Sequence, residues 1–140
     1  GQGQAAATVG TLISEVVDSL DLHKTVVAVG LDYQAGIGGA RLSIAQRQKL
    51  AVARALLKRS DLIIINEATA PLEPASQATV LDNVLSTNEG RGVVWVLNRI
   101  QEAEKFQHVL VMKDGRIVEQ GHYDELVKNG GTFRDLLEAA

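Results

Sequence analysis

Two short apolar runs constrain this chain more than any other feature: LIIIN at 62–66 and GVVWVLN at 92–98. Each stays apolar until a polar residue ends it, Asn66 in the first and Asn98 in the second. Runs of this length rich in Ile and Val read as strands, and strands apolar on both faces belong in the middle of a parallel sheet. Between them comes a turn holding Pro71 and Pro74, then a helical pattern from Ala75 to Leu85. Strand, helix and strand in that order predict an α/β layered sheet. Both polar ends then fall on one sheet edge, where ligands of such folds bind.

The remaining segments fit that class. Residues 11–22 place Leu12, Val16, Leu20 and Ile13, Val17 at helical spacing. Residues 30–41, GLDYQAGIGGAR, hold four of the 13 glycines and read as a loop. LSIAQRQKLAVARALLKRS reads as one long helix, with Leu50, Ala53, Leu57 and Ala51, Arg54 inward and Gln48, Lys49, Lys58 toward water. QEAEKF is a short helix, and HVLVM with GRIVEQG predicts a hairpin turning at Asp114-Gly115. Helices near 122–129 and 132–139 close the chain, with no internal repeat. Trp95 reads as core.

Composition serves mainly to exclude. The 140 residues, 46% hydrophobic, suffice for one domain with a core. Fourteen basic and 17 acidic residues are well mixed, with a net charge of -3, so neither a broad nucleic-acid footprint nor a polybasic membrane patch is expected. Without cysteine there is no disulfide framework or zinc-thiolate site, and a reducing compartment is allowed. Runs such as LIII and VVWVL fall far short of the roughly 20 residues a spanning helix needs. GQGQAAATVG lacks the basic start and apolar core of a signal peptide. The chain by itself is expected to be soluble.

Two places carry polar chemistry. Ser43 and Gln46 have the S-x-x-Q spacing of a capping box at the long helix's start. That spacing is explained by helix capping alone, worth about 1 kcal/mol. A glycine-rich loop feeding a helix N-terminus also suits a phosphate, and both readings stay open here. At the end of the first strand, Glu67 follows Asn66. A carboxylate held there can orient a water or take its proton, or it can simply point to solvent.

The stretch ARLSIAQRQKLAVARALLKRSDLIIINEATAPLEPAS, residues 40–76, resembles the ATP-binding cassette domain of ABC transporters, closest to exporter-type domains. LSIAQ (Leu42, Ser43, Ile44, Ala45, Gln46) lies where the family has its LSGGQ signature. IIINE matches the Walker B strand, which in the family ends in Asp-Glu, and APLEPAS matches the D-loop, usually SALD, at Ala70, Pro71, Leu72 and Glu73. VWVLNR occupies the switch strand, usually ending in His-Arg, and residues 112–131 resemble the C-terminal hairpin and helix. The five blocks come in the family's order from about residue 11 onward.

The resemblance implies a P-loop NTPase-like α/β fold and an ATPase coupled to transport. It implies Glu67 as catalytic base, Asn98 at the γ-phosphate switch, and Asn66 as a weak approach to Mg²⁺ through water. It also implies ATP held between two head-to-tail nucleotide-binding domains, with Ser43 and Gln46 reaching the partner's nucleotide. Transmembrane domains would be further partners, at the cytoplasmic face of the cell membrane, with no nucleic acid involved. No G-x-x-x-x-G-K-S/T occurs in the chain, and the family places that loop upstream of residue 1. The chain is therefore expected to be the carboxyl-terminal part of such a domain: a flexible start at 1–10, a helical subdomain at 11–60, and the later core with its hairpin and helices at 61–140. The strands at 62–66 and 93–98 would flank the absent P-loop strand, leaving an open edge.

Several residues depart from the family pattern. Asn66 replaces an Asp and carries no charge for a divalent ion; Asn98 replaces the switch His. Ile44 and Ala45 replace glycines that permit close backbone approach, and Glu73 is one methylene longer than Asp. Together they read as a degenerate site, and the alternative function is a non-hydrolysing regulatory or dimerisation partner. A hydrolase triad lacks its G-x-S-x-G elbow, no H-E-x-x-H occurs, and Gly36, Gly38 and Gly39 make no dinucleotide fingerprint. A chromosome-maintenance ATPase would share the core, but the acidic balance and the EQG hairpin favour the transporter.

Overall fold

The computed structural model describes residues 2–30 and 32–140. Residues 1 and 31, within the expected flexible start and the expected loop, lie outside the described residues. Contacts divide the chain into two compact units, Gly1–Val96 and Leu97–Ala140. The expected boundary at residue 60 falls inside the first unit, where Val52 and Leu56 before it share a core with Ile63 and Val80 after it.

The first unit begins with α1, Gln2–Ser19, which starts well before residue 11. Ala5, Ala6 and Ala7 are strong helix formers, and they carry the helix back into the expected flexible start. Leu20 and Leu22 just beyond α1 are fully buried, with Val16 and Val17 packed against the same core. Next comes α2, His23–Val29, which contains no buried residue. The loop after it is stitched by short bonds, Arg41 N–H to the Ala35 carbonyl and Leu42 N–H to the Gly39 carbonyl.

α3 runs from Ile44 to Leu57. Its inward face is Val52, Ala53 and Leu56, whereas Leu50 and Leu57 are 38% and 42% exposed. The expected stripe is thus rotated about the helix axis. Lys49, expected in water, has a largely covered side chain and pairs with Asp21 at 3.6 Å. Its stem covers apolar surface while the ammonium reaches a carboxylate.

β1, Leu62–Asn66, pairs in parallel with β2, Gly92–Val96, in the register Leu62 to Gly92 through Asn66 to Val96. The two strands are direct neighbours and do not flank a third, which corrects the expected placement. Gly92 permits the approach at the start of the pairing, since a Cβ there would stand 2.8 Å from Leu62 Cδ1. Burial alternates along β1: Ile63 and Ile65 are each 4% exposed, but Ile64 is 66% exposed. The expectation of strands buried on both faces therefore fails, because the helices of this unit cover only one side. β2 stops at Val96, two residues before the expected Asn98, and Trp95 is half-buried against the core. α4, Pro74–Thr87, joins the strands and buries Gln77, Val80, Leu81 and Val84.

The second unit is a hairpin with helices. A 3₁₀ segment, Ile100–Lys105, leads into β3, Val109–Lys113, and antiparallel β4, Arg116–Gly121. The turn falls at Asp114-Gly115 as expected, with φ of 49° and 74°, the left-handed pair of a type I′ hairpin. α5, Tyr123–Asn129, and α6, Thr132–Glu138, pack Leu126 and Phe133 with Val111 and Ala103. Tyr123 and Phe133 meet edge to face at 5.5 Å. Glu119 accepts the Phe133 N–H at 2.6 Å, tying β4 to the start of α6.

Candidate functional site

Asn66 is the last residue of β1, at its carboxyl tip, and Glu67 is the first residue beyond it. Both are exposed. Glu67 takes a left-handed backbone, φ 52°. A non-glycine residue in that region carries strain of about 1 kcal/mol or more, and such strain clusters where side chains must be aimed. The turn it opens is closed by Ala70 N–H donating to the Glu67 carbonyl at 3.1 Å. Among the described residues, the Glu67 carboxylate has no hydrogen bond or ion pair. It stands free to meet water or a ligand, as a base requires.

The turn then runs into Ala70, Pro71, Leu72 and Glu73. Leu72 is 6% exposed and anchors it, with Leu72 N–H donating to the Thr69 carbonyl at 2.9 Å. Glu73 is the N-cap of α4, yet its side chain makes no capping bond, and Pro74 stands at the helix's first turn. Its carboxylate is exposed beside the positive end of the helix.

At the start of α3 the capping box forms as expected. Ser43 Oγ accepts from Gln46 N–H at 3.1 Å, and Gln46 Oε1 accepts from Ser43 N–H at 2.9 Å. Gln46 Nε2 also donates to Thr25 Oγ1 at 3.3 Å, which fastens α2 to the start of α3. The cap is thus structurally occupied, while Ile44 beside it is 57% exposed and Ile37 in the preceding loop is 99% exposed. Ala45 is half-buried against the core, and Leu42 is half-buried. The helix mouth presents branched apolar carbon where glycines would leave bare backbone.

Asn98 belongs to the second unit and is exposed in a bend. Arg99 beside it lies 3.8 Å from the carboxylate of Glu102, whose side chain is nearly covered. Among the described residues no group of three or more His, Cys, Asp or Glu is placed to hold a metal ion, and the Asn66 amide is neutral.

Gln77 and Glu102 were missed in the sequence. Gln77 interrupts the apolar spacing of Leu72, Val80, Leu81 and Val84, and is itself buried. A polar residue at a core position is the signal that would have found it. Glu102 carries no comparable mark, since acids are ordinary in short surface helices.

No family model matches the chain. Heterocyst differentiation ATP-binding protein HepA from Nostoc sp. is 40% identical over 102 residues, which is 73% of this chain and 17% of that protein. An ATP-dependent lipid A-core flippase from Burkholderia orbicola is 36% identical over 126 residues, 89% of this chain and 21% of that protein. The chain thus spans about a fifth of the length of these relatives. Among solved structures, a bacterial ABC exporter of the Atm1 family with ATP bound superimposes with a TM-score of 0.83 at 21% identity, covering 92% of this chain and 23% of that one. An ABC multidrug transporter from Emericella nidulans is 30% identical over 140 residues, 99% of this chain and 10% of that protein. With relatives of this kind over most of its residues, the chain belongs to the ATP-binding cassette family.

Proposed function

We propose that this chain is part of the ATP-binding subunit of an ABC exporter, coupling ATP binding and hydrolysis to movement of a substrate across a membrane. The observation that carries the reading is Glu67: an exposed, unpaired carboxylate at the carboxyl tip of a parallel strand, held in left-handed backbone. In this reading Glu67 draws the proton from the attacking water, and Asn98 stands at the switch position. Ser43 and Gln46 meet a nucleotide bound by a second, head-to-tail domain, and Ala70 to Glu73 line the same junction. Transmembrane domains are the further partner, at the cytoplasmic face. Among the described residues, no helix is long and apolar enough to cross a membrane. The mixed charge, -3 overall, gives nucleic acid no footprint.

A second reading has its own support. Ile44, 57% exposed, obstructs the helix mouth, and the neutral Asn66 weakens any hold on a cation. These favour a partner domain that dimerises and regulates without turnover. Ser43→Arg in the intact protein separates the readings, with Ser43→Ala as control. A surface cap is worth about 1 kcal/mol, so both variants keep nearly the parent melting temperature. If Ser43 serves a nucleotide in trans, Ser43→Arg abolishes ATP-dependent dimerisation in light scattering or cross-linking, and Ser43→Ala largely retains it. Normal closure in Ser43→Arg leaves Ser43 a helix cap only and moves the chain to the regulatory class.

A further inference from the structure

Gln77 lies on the buried face of α4, 4% exposed. Its Nε2 donates to the Leu72 carbonyl at 2.8 Å and lies 3.5 Å from the Ala70 carbonyl, so one amide straddles Pro71. Its other end gains nothing: Oε1 is buried with no hydrogen-bond partner. Leaving such an oxygen unsatisfied is costly, and an apolar side chain of equal length would fill the space without that penalty. Packing therefore does not account for an amide at this position; the donor does. The carbonyls it grips belong to the turn whose first residue is Glu67, closed by the Ala70 N–H on the Glu67 carbonyl at 3.1 Å.

We propose that Gln77 is a positioning residue: its amide clamps the turn from Ala70 to Leu72 and so holds Glu67 in its left-handed backbone. Pro71 has no N–H of its own to stiffen that turn, which Thr69 and Leu72, 4% and 6% exposed, and half-buried Ala68 anchor from within. The clamp comes from a separate element. Its importance for turnover rests on the reading of Glu67 as the base, whereas the clamp itself does not.

Hydrogen exchange on the chain tests it directly. Gln77→Met removes the donor and keeps the bulk; Gln77→Glu keeps the shape and turns an acceptor toward the carbonyls. Each should speed exchange of the Ala70 and Leu72 amides by about tenfold while Leu81 and Val84 in α4 stay within about twofold. Unchanged protection of Ala70 and Leu72, or an equal loss throughout α4, overturns the proposal. Should the variants not fold, the wild-type chain still decides: the Gln77 side-chain amide protons should exchange about tenfold more slowly than those of exposed Gln101, and equal rates refute the clamp. In the intact protein, Gln77→Met should lower kcat for ATP by about tenfold with KM nearly unchanged. A wild-type protein without ATPase activity would count against the hydrolytic reading alone, because the exchange experiments report on Gln77 either way.

Discussion

At the scale of single residues, the arrangement sets a free acid beside an uncharged neighbour. Glu67 has the exposure a base needs, but Asn66 offers a cation only an amide oxygen, and Asn98 cannot carry the charge a histidine can. Replacing Asn66→Asp and Asn98→His together in the intact protein should therefore raise steady-state ATP hydrolysis by about tenfold or more. Glu67→Gln on that background should remove the gain and lower the rate by about a hundredfold, the usual share of a general base. A flat or falling rate in the double variant would show that the two asparagines are not what limits turnover.

Among the elements, local chemistry was legible and helix phase was not. The Ser43 and Gln46 capping box, the Asp114-Gly115 turn and the strand over 62–66 rest on residues close in sequence, and all three formed as read. The face α3 buries differs from the one its spacing suggests, because Leu50 and Leu57 satisfy helical spacing as well as Val52 and Leu56 do. Packing against α1 and β1 chooses between them. α2 escaped notice altogether: HKTVVAV is rich in β-branched residues, which favour strands, and buries nothing to give it a periodic face. At the site, the position of Glu67 was readable from the strand end, but its left-handed backbone was not, since glutamate carries no preference for that region. α4 supplies a prediction of its own. Its N-cap is Glu73, without a capping bond, where a shorter acid would reach the helix N–H groups. Glu73→Asp should raise stability by about 1 kcal/mol in denaturant unfolding. No gain would mean that Pro74 already fixes the helix start.

At the scale of the whole molecule, the two units bury their cores separately and leave apolar surface outside. Ile64, Val94 and Val96 line the open face of the parallel pair, and Leu110, Met112 and Ile117 are exposed on the hairpin unit. No G-x-x-x-x-G-K-S/T, the loop that supplies a backbone cradle and a lysine to phosphates, occurs within these 140 residues. Calorimetry of the purified chain with Mg-ATP should accordingly show no binding in the micromolar range. One-to-one binding of about micromolar affinity would mean that the first unit holds nucleotide by contacts other than that loop.

The left-handed backbone at Glu67 also says what a sequence chosen only for durability would contain there. Glycine reaches φ 52° without a clash, so Glu67→Gly relieves strain that the present residue tolerates. The expected result is a melting temperature a few degrees higher, from about 1 kcal/mol, with hydrolysis lost in the intact protein. A tougher molecule lies one substitution away, and the distance between the two marks how much durability this position gives up to hold a carboxylate in the open.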